Sequence, residues 1–475
     1  MAINKSINKV MVSALIAVSL FTISACSSNN TSKKDPVNTG DTTKPTNETD
    51  KTNEGKTNTP PAEDHKPVEI TISTWVPADS PEWHKISDAF TKKYPWITVK
   101  WLFNNGGADT LKAVTQSIAS GSPIDVFWNN TFNDVVTQGF AENLDPYIAK
   151  DTDFTSYEFN KGILEPFQFK GSQYALSRGN DTFIFFYNKD ILAKYGIDTP
   201  KNDWTWEDLK AAAQKATHPE DKVWGMANNT IFVSFAAADL AAANGHSEHI
   251  MDLNGDLSTN ITYVGADKDV MDDNQWLNDW VTKDGIMLND KRQKDAGIDG
   301  DMFASGHAAF YYHVSPTIPG FKAQWKFNWD IAPTPAGTAK QVGTSFNNPM
   351  FLSKAGKHKE EAFLFMKFWA ASVEGQKILM SIGGTLPNSS NAEITDAFKA
   401  LDTYKGINVD ALIYAAKIGE TDPTIYIPGG ADVGSAIGGW VASGYQEEKS
   451  AYDYFPTIAD KTNKAIADAL AKTNN

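Results

Sequence analysis

Apolar and polar residues alternate from Val68 to Trp75, and this period of two predicts the first strand of a folded region. Ser80 and Pro81 then supply an N-cap and a first helical residue, so a helix is expected to begin there. Apolar residues recur on one face of this predicted helix as far as Pro95, where the missing backbone N–H must end it.

The same alternation of strand and helix continues along the chain. Apolar runs at residues 97–101 and 124–128 predict two further strands, and the stretch with Leu111, Val114 and Ile118 between them predicts a helix. Alternating strands and helices favour a parallel sheet, in which ligands bind beyond the carboxyl ends of the strands. The residues at those ends are therefore the first candidates for a binding site.

The beginning of the chain has a different character. Lys5 and Lys9 precede an apolar run over residues 10–23 that is shorter than the ~20 residues of a membrane span, which predicts a secretory signal over residues 1–25. The residues before Cys26 resemble a bacterial lipobox, so Cys26 is predicted to be acylated, with palmitate among its acyl chains. The protein would then be lipid-anchored at the extracytoplasmic face of the cell membrane. The alternative is an ordinary signal peptide with an incidental cysteine.

Residues 26–66 are almost free of apolar side chains, which predicts a disordered polar linker. The formal net charge of the chain is -15, and it disfavours nucleic acid as a partner because phosphate binding needs a basic face. Since Cys26 is the only cysteine, the folded part has no disulfide and no thiol nucleophile.

Further along, short motifs follow one another in a characteristic order. They are residues 121–128, 144–147, 174–177, 186–190, 205–209, 303–310, 331–337, 357–363 and 384–387. In order and spacing these motifs resemble the extracellular solute-binding proteins of family 1, the receptors of bacterial sugar ABC importers. Ser177 stands where the family usually has proline, and His307 where it usually has lysine.

The resemblance implies an α/β, two-lobed periplasmic-binding-protein-like fold of type II. Each lobe is a parallel-rich sheet flanked by helices, with the ligand between the lobes. The first lobe is expected to comprise residues 67–180 and 334–385, and the second residues 181–333 and 386–475. Hinge crossings are expected at residues 174–187, 329–335 and 384–388. A monomer is implied, with no cofactor and no metal.

Sugars offer apolar faces to aromatic rings and hydroxyl groups to carboxylates and amides. The residues predicted to bind the ligand therefore lie at strand ends and crossings: Trp75, Trp128, Asn129, Asp181, Tyr312, Asn347 and Trp440. Alternatives stay open for several of them. Each strand-end tryptophan could merely cover a sheet edge, Asp181 could cap a turn, and Trp440 could pack in the core. Tyr311 could take the place of Tyr312.

Other conspicuous residues are expected to have structural roles. Asp125 should brace a neighbouring loop, and Trp206, behind an N-cap at Thr205, should lie in a core. The segment that begins at Asp252 imitates a calcium loop but lacks its glycine and final glutamate, so a hairpin turn is favoured. His246 and His249 have no third ligand nearby in sequence, and no zinc site is predicted.

These observations favour a lipid-anchored receptor that binds a mono- or oligosaccharide and delivers it to the permease subunits of an ABC importer. No nucleophile elbow, phosphate loop or zinc-protease motif is present in the sequence, so an enzyme is not expected. One alternative is a receptor for a polyamine or another small solute. A surface glycan-degrading enzyme is a second alternative, because sequence cannot show which carboxylates meet in space.

Overall fold

The computed structural model describes residues 65–75, 81–253, 257, 259–382 and 385–473. The predicted signal peptide, Cys26 and almost all of the predicted linker lie outside the described residues. No helix in the described part of the chain is long and apolar enough to cross a membrane.

The strands are β1 (Val68–Thr74), β2 (Ile97–Phe103), β3 (Val126–Trp128), β4 (Gln168–Phe169), β5 (Ser172–Gln173), β6 (Ala175–Asn188), β7 (Trp224–Met226), β8 (Met251–Asp252), β9 (Thr262–Tyr263), β10 (Ala308–Val314), β11 (Trp329–Ala332), β12 (Gly343–Leu352) and β13 (Gly419–Thr421).

The helices are α1 (Pro81–Lys93), α2 (Gly107–Ala119), α3 (Phe132–Thr137), α4 (Asp145–Lys150), α5 (Lys189–Lys194), α6 (Trp206–Ala216), α7 (Thr230–Asn244), α8 (Lys268–Thr282), α9 (Asp290–Asp295), α10 (Ile318–Gln324), α11 (Lys359–Ala371), α12 (Val373–Ile382), α13 (Ala392–Lys399), α14 (Val409–Ile418), α15 (Gly430–Gly439), α16 (Ala451–Tyr454) and α17 (Pro456–Thr473). A π-helical turn, Trp440–Tyr445, follows α15.

Nine strands form one mixed sheet in the order β2-β1-β3-β12-β6-β10-β7, with β11 paired to β6 and β13 paired to β12. β1 lies between β2 and β3 and pairs with both in parallel, which confirms the parallel arrangement predicted for the first strands. The carboxyl ends of these three strands therefore lie at one edge of the sheet.

The long strand β6 belongs to both halves of the sheet. Its beginning pairs with β12, from Ala175 opposite Phe351 to Thr182 opposite Ser345. Its end pairs with β10 and β11 instead. One continuous strand thus carries the chain from the first half of the sheet to the second.

Separate apolar cores cover the two halves. On the first half, Ile72 and Trp128 of the sheet pack with Phe90 of α1 and Trp369 of α11. On the second half, Phe185 and Tyr312 pack with side chains of α6, α7 and α8. Each half of the sheet therefore buries its own apolar surface, which is the largest favourable contribution to folding.

Several local predictions are confirmed. Trp206 is buried at the start of α6, and Thr205 and Asp208 form the expected capping box. Asp125 accepts hydrogen bonds from the backbone N–H groups of Thr71, Lys357 and His358, so it braces loops. β8 and β9 form the antiparallel hairpin expected after residue 250.

Candidate functional site

Three indole rings and one guanidinium group gather where β1, β3 and β6 approach one another. The Arg178 Cζ atom lies 4.6 Å from the ring centroid of Trp128, 5.7 Å from that of Trp83 and 5.8 Å from that of Trp75. A cation over an indole ring is attracted by the negative electrostatic potential of the ring face. We call these four residues the Trp–Arg cluster.

The strand register explains why these side chains meet. Met350 of β12 pairs with Trp128 of β3 on one side and with Leu176 of β6 on the other. Because side chains alternate along a strand, Arg178 lies on the same face as Leu176. It is two residues further along β6, which runs in the same direction as β3, so it lies closer to the end of the sheet where β3 finishes. Trp75 follows the last residue of β1, and its ring lies 5.5 Å from that of Trp128.

The members of the cluster differ in exposure. Trp128 is fully buried and Arg178 is 8% exposed, whereas Trp75 and Trp83 are half-buried. Burial lowers the pKa of Arg178 from its ordinary value to about 10, despite the opposing charge of Asp181. The guanidinium therefore remains a cation at neutral pH. Its Nε atom is inaccessible to solvent and has no hydrogen-bond partner among the described residues.

Asp181 supplies the opposite charge from the same strand. Its Oδ2 atom accepts a hydrogen bond of 2.9 Å from the Asn348 side chain. The other oxygen, Oδ1, is buried and makes no hydrogen bond of normal geometry within the described structure. Burial raises the pKa of Asp181, although Arg178, Asn348 and Thr385 all lower it. A buried donor and a buried acceptor thus stand unpaired near each other, which costs free energy until a ligand or water pairs them.

Asn347 of β12 pairs with Asn180 of β6, one residue before Asp181, where the register of the two strands shifts. Its side-chain N–H group donates to the Gly162 carbonyl oxygen and to the Thr421 hydroxyl, at 2.6 and 2.7 Å. Its Oδ1 atom is buried and unpaired within the described ranges. As a ligand contact Asn347 stays a prediction, and its observed bonds join three separate segments of the chain.

Asn129 is fully buried, and both polar atoms of its side chain make hydrogen bonds within the protein. Its Nδ2 atom donates to the Gly107 carbonyl oxygen, and its Oδ1 atom accepts from the backbone and hydroxyl of Thr131. These bonds hold the start of α2 against the end of β3. As a ligand contact Asn129 stays a prediction. A solute that bound its side chain would have to displace hydrogen bonds that are already made.

Tyr312 lies in the core of the second half of the sheet, away from the Trp–Arg cluster. Its ring stacks on Phe183 with centroids 4.9 Å apart, and its hydroxyl donates to Asp239 Oδ2 at 2.5 Å. Thr344 donates to the other oxygen of Asp239 at 2.6 Å. Of the two tyrosines weighed from sequence, Tyr312 is fully buried and Tyr311 is half-buried. We call Asp239, Tyr312 and Thr344 the Asp239 network.

His249 approaches the same network. Its Nδ1 atom lies 4.0 Å from Asp239 Oδ1, and its side chain is almost completely buried. His249 and Ile250 lie in a turn with positive φ angles, and both residues are buried. In the described part of the chain, no three His, Cys, Asp or Glu side chains are placed to hold a metal ion.

Trp440 starts the π-helical turn and is 3% exposed. Its ring packs against Tyr454 and Phe455, with centroids 5.3 and 5.2 Å away. This arrangement favours the core-packing alternative left open by the sequence. The proposed contact with a ligand remains a prediction.

The structure therefore brings Trp75, Trp128 and Asp181 to one region and leaves Tyr312 and Trp440 in another. Sequence reasoning missed Arg178, Trp83 and Asn348, which belong to the first region. One sequence signal could have identified Arg178, since it is the one basic residue within the first predicted crossing, residues 174–187. A cavity of about 200 Å³ lies elsewhere, beside Leu386, Pro387 and Phe398, and none of the predicted site residues lines it.

Comparisons with known proteins agree with this architecture. A profile of the bacterial extracellular solute-binding protein family matches residues 43–377. An uncharacterized ABC transporter extracellular-binding protein of Pyrococcus horikoshii is 26% identical over 352 residues, which cover 70% of this chain and 74% of the relative. The arabinooligosaccharide-binding protein of Bacillus subtilis is 26% identical over 257 residues, 52% of this chain and 54% of the relative.

Two solved structures show a similar fold. The ABC substrate-binding protein of Listeria monocytogenes in complex with cycloalternan has a TM-score of 0.66 at 24% identity, over 85% of this chain and 100% of that one. The extracellular solute-binding protein of Staphylococcus aureus in complex with maltose has a TM-score of 0.65 at 20% identity, over 86% of this chain and 99% of that one. The predicted two-lobed α/β fold class is thereby confirmed. The matched family and these neighbours are binding proteins rather than enzymes.

Proposed function

This chain belongs to the bacterial extracellular solute-binding protein family, and we propose that it binds a carbohydrate between its two lobes and delivers it to an ABC importer. Relatives described as binding cycloalternan, maltose and arabinooligosaccharide support a sugar as the class of solute. The family also supports an extracytoplasmic location.

The observation that carries this proposal is the unpaired polar edge of the Trp–Arg cluster. Half-buried Trp75 and Trp83 offer ring surface for the C–H face of a sugar. Arg178 Nε and Asp181 Oδ1 are a buried donor and a buried acceptor without partners in the described structure. A sugar hydroxyl is both a donor and an acceptor, which are the two kinds of partner that these atoms lack.

The same cluster disfavours the polyamine alternative. A polyamine would have to bring several positive charges beside the buried Arg178 cation, and among the described residues Asp181 is the charge that lowers this repulsion. Like charges in a desolvated site cost several kcal/mol. A neutral polyhydroxylated ligand carries no such penalty.

Calorimetric titration with a panel of sugars, polyamines and short peptides tests the proposal. We expect a sugar to bind, and Arg178→Met to weaken that binding by roughly 10- to 100-fold, because a charged hydrogen-bond donor contributes about 1.5–3 kcal/mol. Arg292→Met is the matched control, since Arg292 pairs with Glu448 on the exposed surface. Binding of a polyamine but of no sugar in the panel would refute the proposal.

We further propose that Cys26 carries the lipid anchor. Stable membrane attachment needs two acyl chains, which an acylated lipobox cysteine supplies. Cys26→Ala should move the protein from the membrane fraction to the soluble fraction, or leave the leader uncut. An unchanged mass and an unchanged membrane fraction would contradict the anchor, while the sugar-binding proposal would stand.

A further inference from the structure

Phe103 is a large apolar side chain that the fold leaves exposed. It ends the edge strand β2 and is 53% exposed, more than the other large apolar residues of the described structure. Trp101, two residues earlier on the same face of β2, is 8% exposed and packs in the first core. Since side chains alternate along a strand, Phe103 continues the face of Trp101 outward toward the carboxyl edge.

Strand register places Phe103 in one row with the Trp–Arg cluster. Phe103 pairs with Thr74 of β1, and the register of β1 with β3 runs from Ile72 opposite Val126 to Ser73 opposite Phe127. One more step sets Thr74 beside Trp128. The Trp101 ring confirms the shared face, because it lies 6.2 Å from the Trp128 ring.

The spacing within this row suits an extended ligand. Neighbouring strands lie about 4.8 Å apart, so Phe103 is about 10 Å from Trp128 across the sheet. This distance exceeds the width of one sugar ring. Thr74 occupies the middle position of this row, and half-buried Trp75 follows it directly in the chain.

Two polar residues follow Phe103 closely in the sequence. Asn105 and Asp109, at the start of α2, are both exposed, and the Asn105 side chain donates to Asp109 Oδ2 at 2.9 Å. This bond orients an amide and a carboxylate together, the combination that binds sugar hydroxyl groups. Phe103, two residues before Asn105, and this pair together supply the two kinds of group that bind a carbohydrate.

We propose that Phe103 forms an outer subsite, so that the preferred ligand is a linear oligosaccharide that runs from the Trp–Arg cluster over Trp75 to the edge of β2. This inference rests on the proposed carbohydrate function and adds the chain length of the ligand. Inner sugar units bind at the cluster, and an outer unit stacks on Phe103.

Titration of the full-length protein with maltodextrins and with arabinooligosaccharides of two to six units tests this inference. Phe103→Ala should weaken binding of the longest bound oligosaccharide about threefold to tenfold, in line with the contribution of an aromatic pair. Binding of the disaccharide should change less than about twofold, because it does not reach β2. Phe103→Trp should restore the preference for long chains.

Ile118→Ala is the matched control, because Ile118 is also exposed, at 44%, and lies at the end of α2. An equal loss for short and long sugars in Phe103→Ala, or no loss for either, overturns the outer subsite. A variant that binds all lengths normally but fails in uptake by intact cells overturns it too, and assigns Phe103 to the importer interface. If the unmodified protein binds no sugar of either series, the carbohydrate function itself fails.

Discussion

The Trp–Arg cluster and the Asp239 network both combine a carboxylate with aromatic rings, yet their hydrogen bonding differs. In the Asp239 network each carboxylate oxygen accepts a hydroxyl group, at 2.5 and 2.6 Å. Beside the Trp–Arg cluster, Asp181 Oδ1 and Arg178 Nε have no partner in the described structure. The first arrangement needs no solute to pair its carboxylate, and we propose that a bound solute completes the second.

The two regions therefore differ in the pairing of their carboxylate oxygens, although they contain similar residue types. Tyr312 and Trp128 are both fully buried aromatic residues near strand ends, and both were equally good candidates from sequence. The Tyr312 hydroxyl has a hydrogen-bond partner, whereas the Trp128 indole N–H is buried without one in the described structure. Burying a polar group is costly unless it is hydrogen-bonded. Incomplete bonding at a buried charge therefore marks a place where function is worth testing.

The largest expected effect concerns the complete network. Tyr312→Ala removes a buried ring that stacks on Phe183. It also removes the hydroxyl group that donates a hydrogen bond to Asp239 Oδ2. We expect the free energy of unfolding to fall by about 3–5 kcal/mol, as for other buried aromatic residues. Chemical denaturation measures this loss. Sugar affinity of the folded fraction should stay within about twofold, and a much larger loss of affinity would break the distinction between the two regions.

The next effect is a pH dependence of stability. Burial raises the pKa of Asp239 to about 6, although His249, Thr344 and Tyr312 lower it. The folded state therefore holds this proton more tightly than the unfolded state does. Its contribution to the free energy of unfolding is greatest below about pH 4 and falls by about 3 kcal/mol as the pH rises to about 6.

Denaturation of the unmodified protein and of Asp239→Asn between pH 4 and 7 measures this contribution. Asparagine has no titrating carboxylate, so the difference in stability between the two proteins should change with pH over this interval and become constant above it. Parallel stability curves for the two proteins would contradict the raised pKa of Asp239.

The smallest expected effect concerns the incomplete site. Asp181→Asn removes a buried charge whose pKa is raised by burial, so the stability of the folded protein should change by less than about 1 kcal/mol. Affinity for the bound sugar should fall about tenfold, because an amide cannot accept hydroxyl groups through both of its terminal atoms. Thermal shift and calorimetry together measure both quantities. A large loss of stability with unchanged sugar affinity would show that Asp181 stabilises the fold and does not bind the sugar.

Features that depend on neighbours along the chain could be predicted from the amino-acid sequence. The alternation in β1, the capping box at Thr205 and the burial of Trp206 follow from local periodicity and local hydrogen bonding. Collinear motifs determined the family and thereby the fold class. The proposed lipid anchor at Cys26 also depends on sequence alone, since Cys26 lies outside the described residues.

Features that depend on partners far apart in sequence could not be predicted, because they are set when the chain folds. Tyr312 donates to a carboxylate 73 positions away, and Asp181 accepts from Asn348, 167 positions away. Arg178 meets Trp75 and Trp128 because β6 runs through the same sheet as β1 and β3. Periodicity specifies which face of an element is apolar, but it carries no information on which distant polar group will share that face. The pairing of buried polar groups, and hence the location of the unpaired ones, is set when the sheet assembles.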